Sequence, residues 1–169
     1  MSMYRSTVNW FIRIILLYLP AGGVTILNGY HWVARTLRRR LTLRRINLAG
    51  VPLTKADLAD CNLCGSNIRH AYWDAVRCSG TQFNNASFEE GVFDGCDFGR
   101  ATMTGAKLNG ALFVDCAFDG ASLRGVEVVN TTFQRCSFRG ANFADTMLGD
   151  AHFEDCDLDG IRGVTLAPK

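Results

Sequence analysis

The sequence has few of the side chains on which most enzymes depend. Only three histidines occur in 169 residues, and His31, His70 and His152 lie far apart. The chain has no glycine-rich phosphate loop and no Gly-x-Ser-x-Gly turn. A net charge of +2, from 18 basic and 16 acidic side chains, gives no reason to expect strong nucleic-acid binding. These absences argue against a metalloenzyme or a histidine-based hydrolase. We therefore predict no catalytic residue, no cofactor and no metal site.

The charge balance hides two regions of opposite sign. Residues 1–40 contain six arginines and no acidic residue, which gives +6. Residues 41–169 contain 12 basic and 16 acidic residues, which gives −4. The composition changes at the same place. We therefore divide the chain into a basic, hydrophobic N-terminal segment (1–40), a main region (41–162) and a C-terminal tail (163–169).

A repeat of five residues governs the main region. Every fifth position from Leu43 to Leu158 is large and apolar, apart from Cys78. Two residues before each of these positions lies a second series, mostly of small residues such as Ala56 and Ser66. A period of five matches neither the 3.6 residues of a helix nor the two of a strand. The pattern requires a backbone that turns in the same direction every five residues.

The repeat resembles the signature of pentapeptide-repeat proteins. It is carried by runs such as Ala56-Asp57-Leu58, Ala106-Lys107-Leu108, Ala121-Ser122-Leu123 and Ala141-Asn142-Phe143. The resemblance implies an all-β fold, a right-handed quadrilateral parallel β-helix with four pentapeptides per coil and about six coils. At ~4.8 Å per coil, the rod would be on the order of 29 Å long. Glycines such as Gly105 and Gly110 fall between two sides, where a positive φ costs little.

Residues 20 apart should stack in such a coil, and the sequence shows this longer period. Two inward columns of aromatic and aliphatic residues and one column of thiols result: Phe93, Phe113, Phe133 and Phe153; Phe98, Phe118, Phe138 and Leu158; and Cys96, Cys116, Cys136 and Cys156. We interpret these four cysteines, with Cys61 and Cys78, as core residues, because a free cysteine packs as a small hydrophobe. Cys64 falls at an outward position and is the candidate reactive thiol.

The N-terminal segment contains 21 consecutive uncharged residues, 14–34, between Arg13 and Arg35. A transmembrane helix needs roughly 20 predominantly apolar residues. We therefore predict a helical or hydrophobic segment that inserts into or lies on a membrane. A soluble cap over the first coil and a cleaved signal peptide stay open as alternatives. The apolar residues on which the prediction depends are Ile14, Ile15, Leu16, Leu17, Leu19, Val24, Ile26 and Leu27.

Arginines follow the apolar stretch and indicate its orientation. The positive-inside rule predicts a repeat region that faces the cytoplasm, because six arginines follow the stretch and only Arg5 and Arg13 precede it. The six are Arg35, Arg38, Arg39, Arg40, Arg44 and Arg45. Seven cysteines kept as thiols agree with a reducing compartment. The alternative is a soluble cytoplasmic protein.

Acidic residues gather on the outward positions that accompany the thiol column. They are Asp57, Asp97, Asp119, Asp157 and Asp159, with Asp115 and Asp155 at adjoining corners. Some members of the resembled family imitate DNA and protect gyrase, a type II topoisomerase, and an acidic rod is the physical basis of that role. Here four arginines interrupt the acidity: Arg77, Arg100, Arg135 and Arg139.

Outward apolar residues are sparse and lie on two adjacent sides. Tyr72, Val92, Leu112 and Val114 share one side, and Val129 and Met147 belong to the side before it. Because contiguous apolar surface marks interfaces, we predict that these six residues bind a protein partner. We predict that the chain is a non-enzymatic scaffold, adaptor or accessory subunit associated with a membrane complex. The sequence does not indicate its oligomeric state. A gyrase-protecting DNA mimic and a secreted bacterial effector are the alternatives.

Overall fold

The computed structural model describes residues 41–164, which form a parallel β-solenoid. Its six strands pair in chain order, in parallel, within one sheet. The strands are β1 (Pro52–Thr54), β2 (Tyr72–Asp74), β3 (Val92–Asp94), β4 (Leu112–Val114), β5 (Thr132–Gln134) and β6 (His152–Glu154). Each begins 20 residues after the last, so the chain completes five turns from β1 to β6. The expected six coils become about five, because the residues before β1 and after β6 form only partial turns.

Each turn has four extended sides. Side 3 is the sheet β1–β6, and isolated parallel bridges between residues 20 apart define the others. Side 1 runs from Thr42 to Arg162, side 2 from Asn47 to Glu127, and side 4 from Asp57 to Asp157. The predicted 20-residue stacking is therefore confirmed. Four sides of five residues account for the whole period.

Residues with positive φ, in the left-handed region, form the corners at which the chain turns from one side to the next. Most corners close with a hydrogen bond across three residues, as from the Ile46 N–H to the Leu43 carbonyl at 3.3 Å. Glycines occupy many corners, as predicted; Gly110, for example, has φ +67°. Between residues 41 and 164, thirteen non-glycine residues also adopt positive φ, including Asp60 and Asn85. Aspartate and asparagine tolerate this region because a short polar side chain can hydrogen-bond locally.

Stacked phenylalanine rings fill the interior of the middle turns. The Phe93 and Phe113 rings stack at 4.8 Å and 16°, and Phe118 and Phe138 stack at 4.9 Å and 5°. Rings of the two columns meet edge to face, as Phe113 and Phe118 do at 5.4 Å and 75°. Both arrangements are favourable for aromatic pairs. The predicted aromatic columns are therefore confirmed as the core of the solenoid.

The Trp73 ring begins one of these columns and replaces a phenylalanine. It meets Phe93 edge to face at 5.5 Å and is fully buried, but its indole N–H has no hydrogen-bond partner. Phe93, which follows Trp73 in the column, needs the space beside Gly91, because a Cβ on Gly91 would lie 2.7 Å from the Phe93 ring. Gly91 is thus the smallest member of the small-residue series for a packing reason.

Side 2 loses its regular pairing in the last turn. Its ladder ends at Glu127, and Met147, one turn later, forms no bridge. The corner at Asp150 lacks the positive φ found at the corresponding position of the other turns. As a result, the Asn130 N–H donates to the carbonyl of Asp150 at 3.0 Å, one residue beyond the usual acceptor. Within residues 41–164, the Val128 N–H has no hydrogen bond.

The last turn leaves part of its apolar interior exposed. Phe153, Leu148 and Cys156 are only partly buried, and Leu158, expected in the core, is 39% exposed. No further described turn stacks on them, so their outer edges stay uncovered. The sequence pattern assigns these positions an inward direction but not the neighbour that would bury them.

Residues 41–164 include no helix long and apolar enough to cross a membrane. The predicted membrane segment, which includes Ile14, Leu17 and Ile26, lies outside the described residues, as does the predicted N-terminal helix. The segment boundaries at residues 40 and 162 stay predictions.

Candidate interaction surface

Four of the six predicted partner-binding residues lie on side 3. Tyr72, Val92 and Leu112 are aligned in register on β2, β3 and β4, and Val114 lies two residues further along β4. Pro52 of β1 pairs with Tyr72 and extends the column. We call the column of Pro52, Tyr72, Val92 and Leu112 the apolar ridge. Pro52 was not among the residues predicted from the sequence, although it lies 20 residues before Tyr72.

The ridge is accessible to a partner. Tyr72 is 52% exposed, Pro52 is exposed, and Val92 and Leu112 are half-buried. The column continues with the polar residues Thr132 and His152, so its apolar part ends after β4. Side 3 is also the one place in residues 41–164 where the pairing extends over three consecutive residues per turn. The ridge therefore lies on the most regular side of the described solenoid.

The other two predicted residues lie elsewhere. Val129, 49% exposed, is at the corner between sides 2 and 3, and Met147, 87% exposed, is on the irregular part of side 2. Neither belongs to the ridge column. The structure thus divides the six predicted residues into four on side 3 and two outside it.

Two unpaired carboxylates accompany the ridge. Asp74 and Asp94 are paired in register on β2 and β3, in the column that continues with Val114. Both are half-buried, and neither forms an ion pair within residues 41–164. Side 3 therefore combines an apolar column with a short acidic one.

The acids of side 4 and its corners are partly neutralised by arginines of neighbouring turns. Arg77 lies 3.5 Å from Asp57, Arg135 binds Asp115 through two bonds of 2.8 Å, and Arg139 lies 2.5 Å from Asp157. The Ser137 hydroxyl also donates to Asp119. Three of the four arginines that interrupt the acidity in the sequence thus pair directly with it.

These pairs change how the carboxyl groups titrate. The Arg135 guanidinium donates to Asp115 and lowers the pKa of that carboxyl. A backbone hydrogen bond at Asp159, together with Arg139, lowers the pKa of Asp157. Both carboxyl groups therefore stay ionised at neutral pH, but with a cation beside them. The electrostatic field that a DNA mimic requires is correspondingly reduced.

The thiol column is inward, as predicted, and it is hydrogen-bonded. The Cys116 thiol donates to the carbonyls of Phe93 and Val114, each at 3.3 Å. The other three cysteines of the column repeat this geometry. Hydroxyls at the same place in the repeat also donate to the carbonyl 23 residues earlier, for example Thr81 to Leu58 at 2.6 Å. The small inward residue thus supplies a donor as well as volume.

Three of the inward thiols are poor nucleophiles. Burial raises the pKa of the Cys61 thiol to about 12 and that of Cys78 well above its ordinary value. Contacts with the Cys136 and Cys96 thiols, and burial, raise the pKa of Cys116. Contact with the Cys116 thiol lowers the pKa of Cys136, against the effect of burial.

Cys61 and Cys64 have the Cys-x-x-Cys spacing that often marks metal or redox sites. The structure separates their environments, because Cys61 belongs to the core and Cys64 is partly exposed, with its sulfur 3.9 Å from the Gln82 carbonyl. All seven cysteines are free. In the described part of the chain, no three cysteine, histidine or acidic side chains converge as metal ligands would.

Two family models match the solenoid. A model described as "Pentapeptide repeat region" matches residues 86–162, and one described as "Pentapeptide repeats (8 copies)" matches residues 42–72. Together they cover most of the described turns. No curated protein matches the chain.

Solved structures similar to the chain include three repeat proteins. QnrB1, a plasmid-mediated fluoroquinolone resistance protein, is 16% identical, with a TM-score of 0.42 over 75% of this chain and 89% of its own. HetL, involved in heterocyst differentiation regulation in Nostoc sp. strain PCC 7120, is 22% identical, with a TM-score of 0.34 over 73% and 64%. A thylakoid-lumen protein from Arabidopsis thaliana is 22% identical, with a TM-score of 0.33 over 69% and 74%. The three TM-scores are low, so these structures say nothing about function.

Proposed function

Because the chain belongs to the pentapeptide-repeat family, we propose that it is a non-enzymatic scaffold or adaptor that binds a protein partner on side 3. The observation that carries this proposal is the apolar ridge, four apolar residues aligned over four consecutive strands. Contiguous exposed apolar surface is typical of interaction sites. The inward residues are fully used in packing, so a function has to come from outward positions such as these.

The rigidity of side 3 supports the same proposal. Its strands are tied together turn by turn, as by the bond from the Lys55 N–H to the Asp74 carbonyl at 2.8 Å. A partner that binds Tyr72 and Leu112 together therefore meets a surface already in its binding geometry. Preorganisation of this kind reduces the entropy lost on association.

Membrane association through residues 14–34, with the repeat region facing the cytoplasm, is the second part of the proposal. It depends on the sequence alone, on the uncharged stretch between Arg13 and Arg35. We expect the full chain to stay in a carbonate-washed membrane pellet. A chain that begins at Leu41 should be released. Release of the full chain by carbonate would contradict membrane insertion.

Co-purification tests the role of the ridge. We expect the double variant Leu112→Asp/Val114→Asp to lose its partner while the thermal unfolding transition stays near that of the parent, since both side chains point outward. Ser122→Asp/Asn142→Asp on side 1 introduces the same two charges away from the ridge and is the matched control. If the ridge variant retains the partner, side 3 is not the binding surface.

Regulation of a type II topoisomerase by DNA mimicry is the second candidate. The net charge of −4 in residues 41–169 favours it. The ion pairs at Asp57, Asp115 and Asp157 weaken it. A supercoiling assay decides: an effect of the purified protein at stoichiometric amounts would support mimicry, and no effect at a large excess would exclude it.

A further inference from the structure

Side 3 displays apolar and acidic residues in a fixed arrangement. The ridge column and the column of Asp74 and Asp94 lie two residues apart on the same strands, which is ~6.6 Å at the usual strand rise. On β4 the second column is apolar, because Val114 takes the place of the carboxylate. A partner must therefore cover a narrow apolar line and meet two negative charges along one flank.

The spacing of the ridge matches that of one face of an α-helix. Neighbouring strands are ~4.8 Å apart, so the four ridge residues span ~14 Å. Apolar residues at i, i+4, i+7 and i+11 of a helix span ~16 Å at 1.5 Å per residue. A helix aligned with the solenoid axis can thus place one apolar side chain against each ridge residue.

The two carboxylates specify the charge of that helix. Asp74 and Asp94 have no ion pair within residues 41–164, in contrast to Asp57, Asp115 and Asp157 on the next side. Asp94 attracts the Arg135 guanidinium only at longer range, because that guanidinium binds Asp115. Bringing an apolar helix onto side 3 removes water from these carboxylates, which is costly without a compensating charge. Lysine or arginine beside the apolar stripe supplies that charge and fixes the helix orientation.

We propose that side 3 binds an amphipathic helix of a protein partner, with its apolar stripe on the ridge and its basic flank against Asp74 and Asp94. This inference rests on the proposed scaffold function and specifies the partner's chemistry. The Val129 and Met147 pair is a weaker candidate, because the charged residues in its columns already pair with each other, Lys107 with Glu127 and Arg69 with Glu89. Binding through the apolar face of an amphipathic helix is a common recognition mode, but the acidic flank selects among helices.

Two synthetic peptides provide the test with the full chain. Both are 18-residue helices with leucine at i, i+4, i+7 and i+11; one has arginine along the flank and the other has glutamate. We expect the arginine peptide to bind at least tenfold more tightly, by fluorescence anisotropy of the labelled peptide. Raising the salt concentration should reduce the difference, because partly exposed charges are screened.

Variants of the chain locate the binding. Asp74→Asn/Asp94→Asn should weaken the arginine peptide about tenfold and leave the glutamate peptide no weaker, and Leu112→Asp should weaken both. Asp60→Asn/Asp159→Asn removes two exposed charges away from the ridge and should change nothing. Equal affinity of the two peptides, or no effect of the Asp74/Asp94 variant, would overturn the proposal.

The outcome also separates this inference from the scaffold function. Suppose that Leu112→Asp/Val114→Asp releases the partner but Asp74→Asn/Asp94→Asn does not. The ridge then binds a partner, and the proposal that this partner presents a helix with a basic flank is wrong. If neither peptide binds and Tyr72 resists nitration in the free chain, another occupant already covers the ridge, which overturns the proposal. Sedimentation equilibrium then distinguishes a second copy from the chain's own residues 1–40.

Discussion

The middle turns and the last turn follow the same five-residue pattern but differ in burial. Phe113 is completely buried and stacked on both sides, whereas Phe153 has a stacked ring on one side only and is partly exposed. The same holds for the thiols, since Cys116 is buried and Cys156 is not. In a solenoid, stability is the sum of each repeat and its interfaces with its neighbours. The difference shows that position along the axis, and not the pattern, determines how much each residue contributes.

The largest effect should come from removing one stacked ring. We expect Phe113→Ala to cost about 3–5 kcal/mol, because a large buried ring leaves a cavity between two turns. Phe153→Ala should cost about 1–2 kcal/mol, because the partly exposed Phe153 ring buries less apolar area on folding than the Phe113 ring does. Urea unfolding of the two variants measures the difference. Equal losses would show that the last turn is as well packed as the middle ones.

A smaller effect of the same kind is expected in the thiol column. Cys116→Ala removes a buried side chain and its bonds to the carbonyls of Phe93 and Val114, at a cost of about 1–2 kcal/mol. Cys156→Ala should cost less, because its thiol is only partly buried. Cys116→Ser keeps a hydrogen-bond donor, like the Thr81 hydroxyl in its own turn. Its cost in unfolding free energy should lie between the costs of Cys116→Ala and Cys156→Ala. A Cys116→Ala variant as stable as the parent would contradict a structural role for the column.

A local effect is expected where side 2 loses its pairing. The Leu108 N–H donates to the Glu127 carbonyl at 2.8 Å, but the Val128 N–H, one turn later, has no such bond. We expect the Val128 amide to exchange with solvent on the order of ten times faster than that of Leu108. Hydrogen exchange followed by NMR compares the two amides in one sample. Equal protection would show that side 2 continues regularly through Met147.

The smallest effect should come from the surface ion pairs. Arg135 lowers the pKa of Asp115 from its ordinary value of 3.8, so the folded state binds that proton less readily than the unfolded state. The pair therefore stabilises the fold above pH 3.8, and the contribution is lost as the pH falls through the lowered pKa. Arg135→Gln should therefore make the chain slightly less stable than the parent at pH 7, and the two should unfold alike in urea below the lowered pKa of Asp115. Both side chains are exposed, so added salt should reduce the effect.

The sequence predicted the inside of this molecule better than its outside. The five-residue series from Leu43 to Phe143 determines burial directly, because a side chain either fits the interior of a turn or is excluded from it. Side 3 was predicted through Tyr72, Val92, Leu112 and Val114, since register follows from the 20-residue period.

Other features depend on contacts that no periodicity contains. The pairing of Arg139 with Asp157 requires side-chain rotamers, and the pairing of side 2 stops because the backbone at Asp150 adopts another φ. Pro52 was missed because proline is unusual within strands, and here it occupies the first position of a strand at the end of a sheet.

The exact 20-residue register makes the length of the solenoid adjustable in whole turns. Removing 20 residues, such as 121–140, would bring Ala141 to the place of Ala121, and the four ladders could close again without changing the ridge. Removing five residues would rotate everything downstream by one side. Deletion of 96–100 would therefore carry Leu112 from side 3 to side 2 and divide the apolar ridge in two. The ridge should thus stay intact when complete turns of 20 residues are gained or lost, but not when a single five-residue repeat is gained or lost within it.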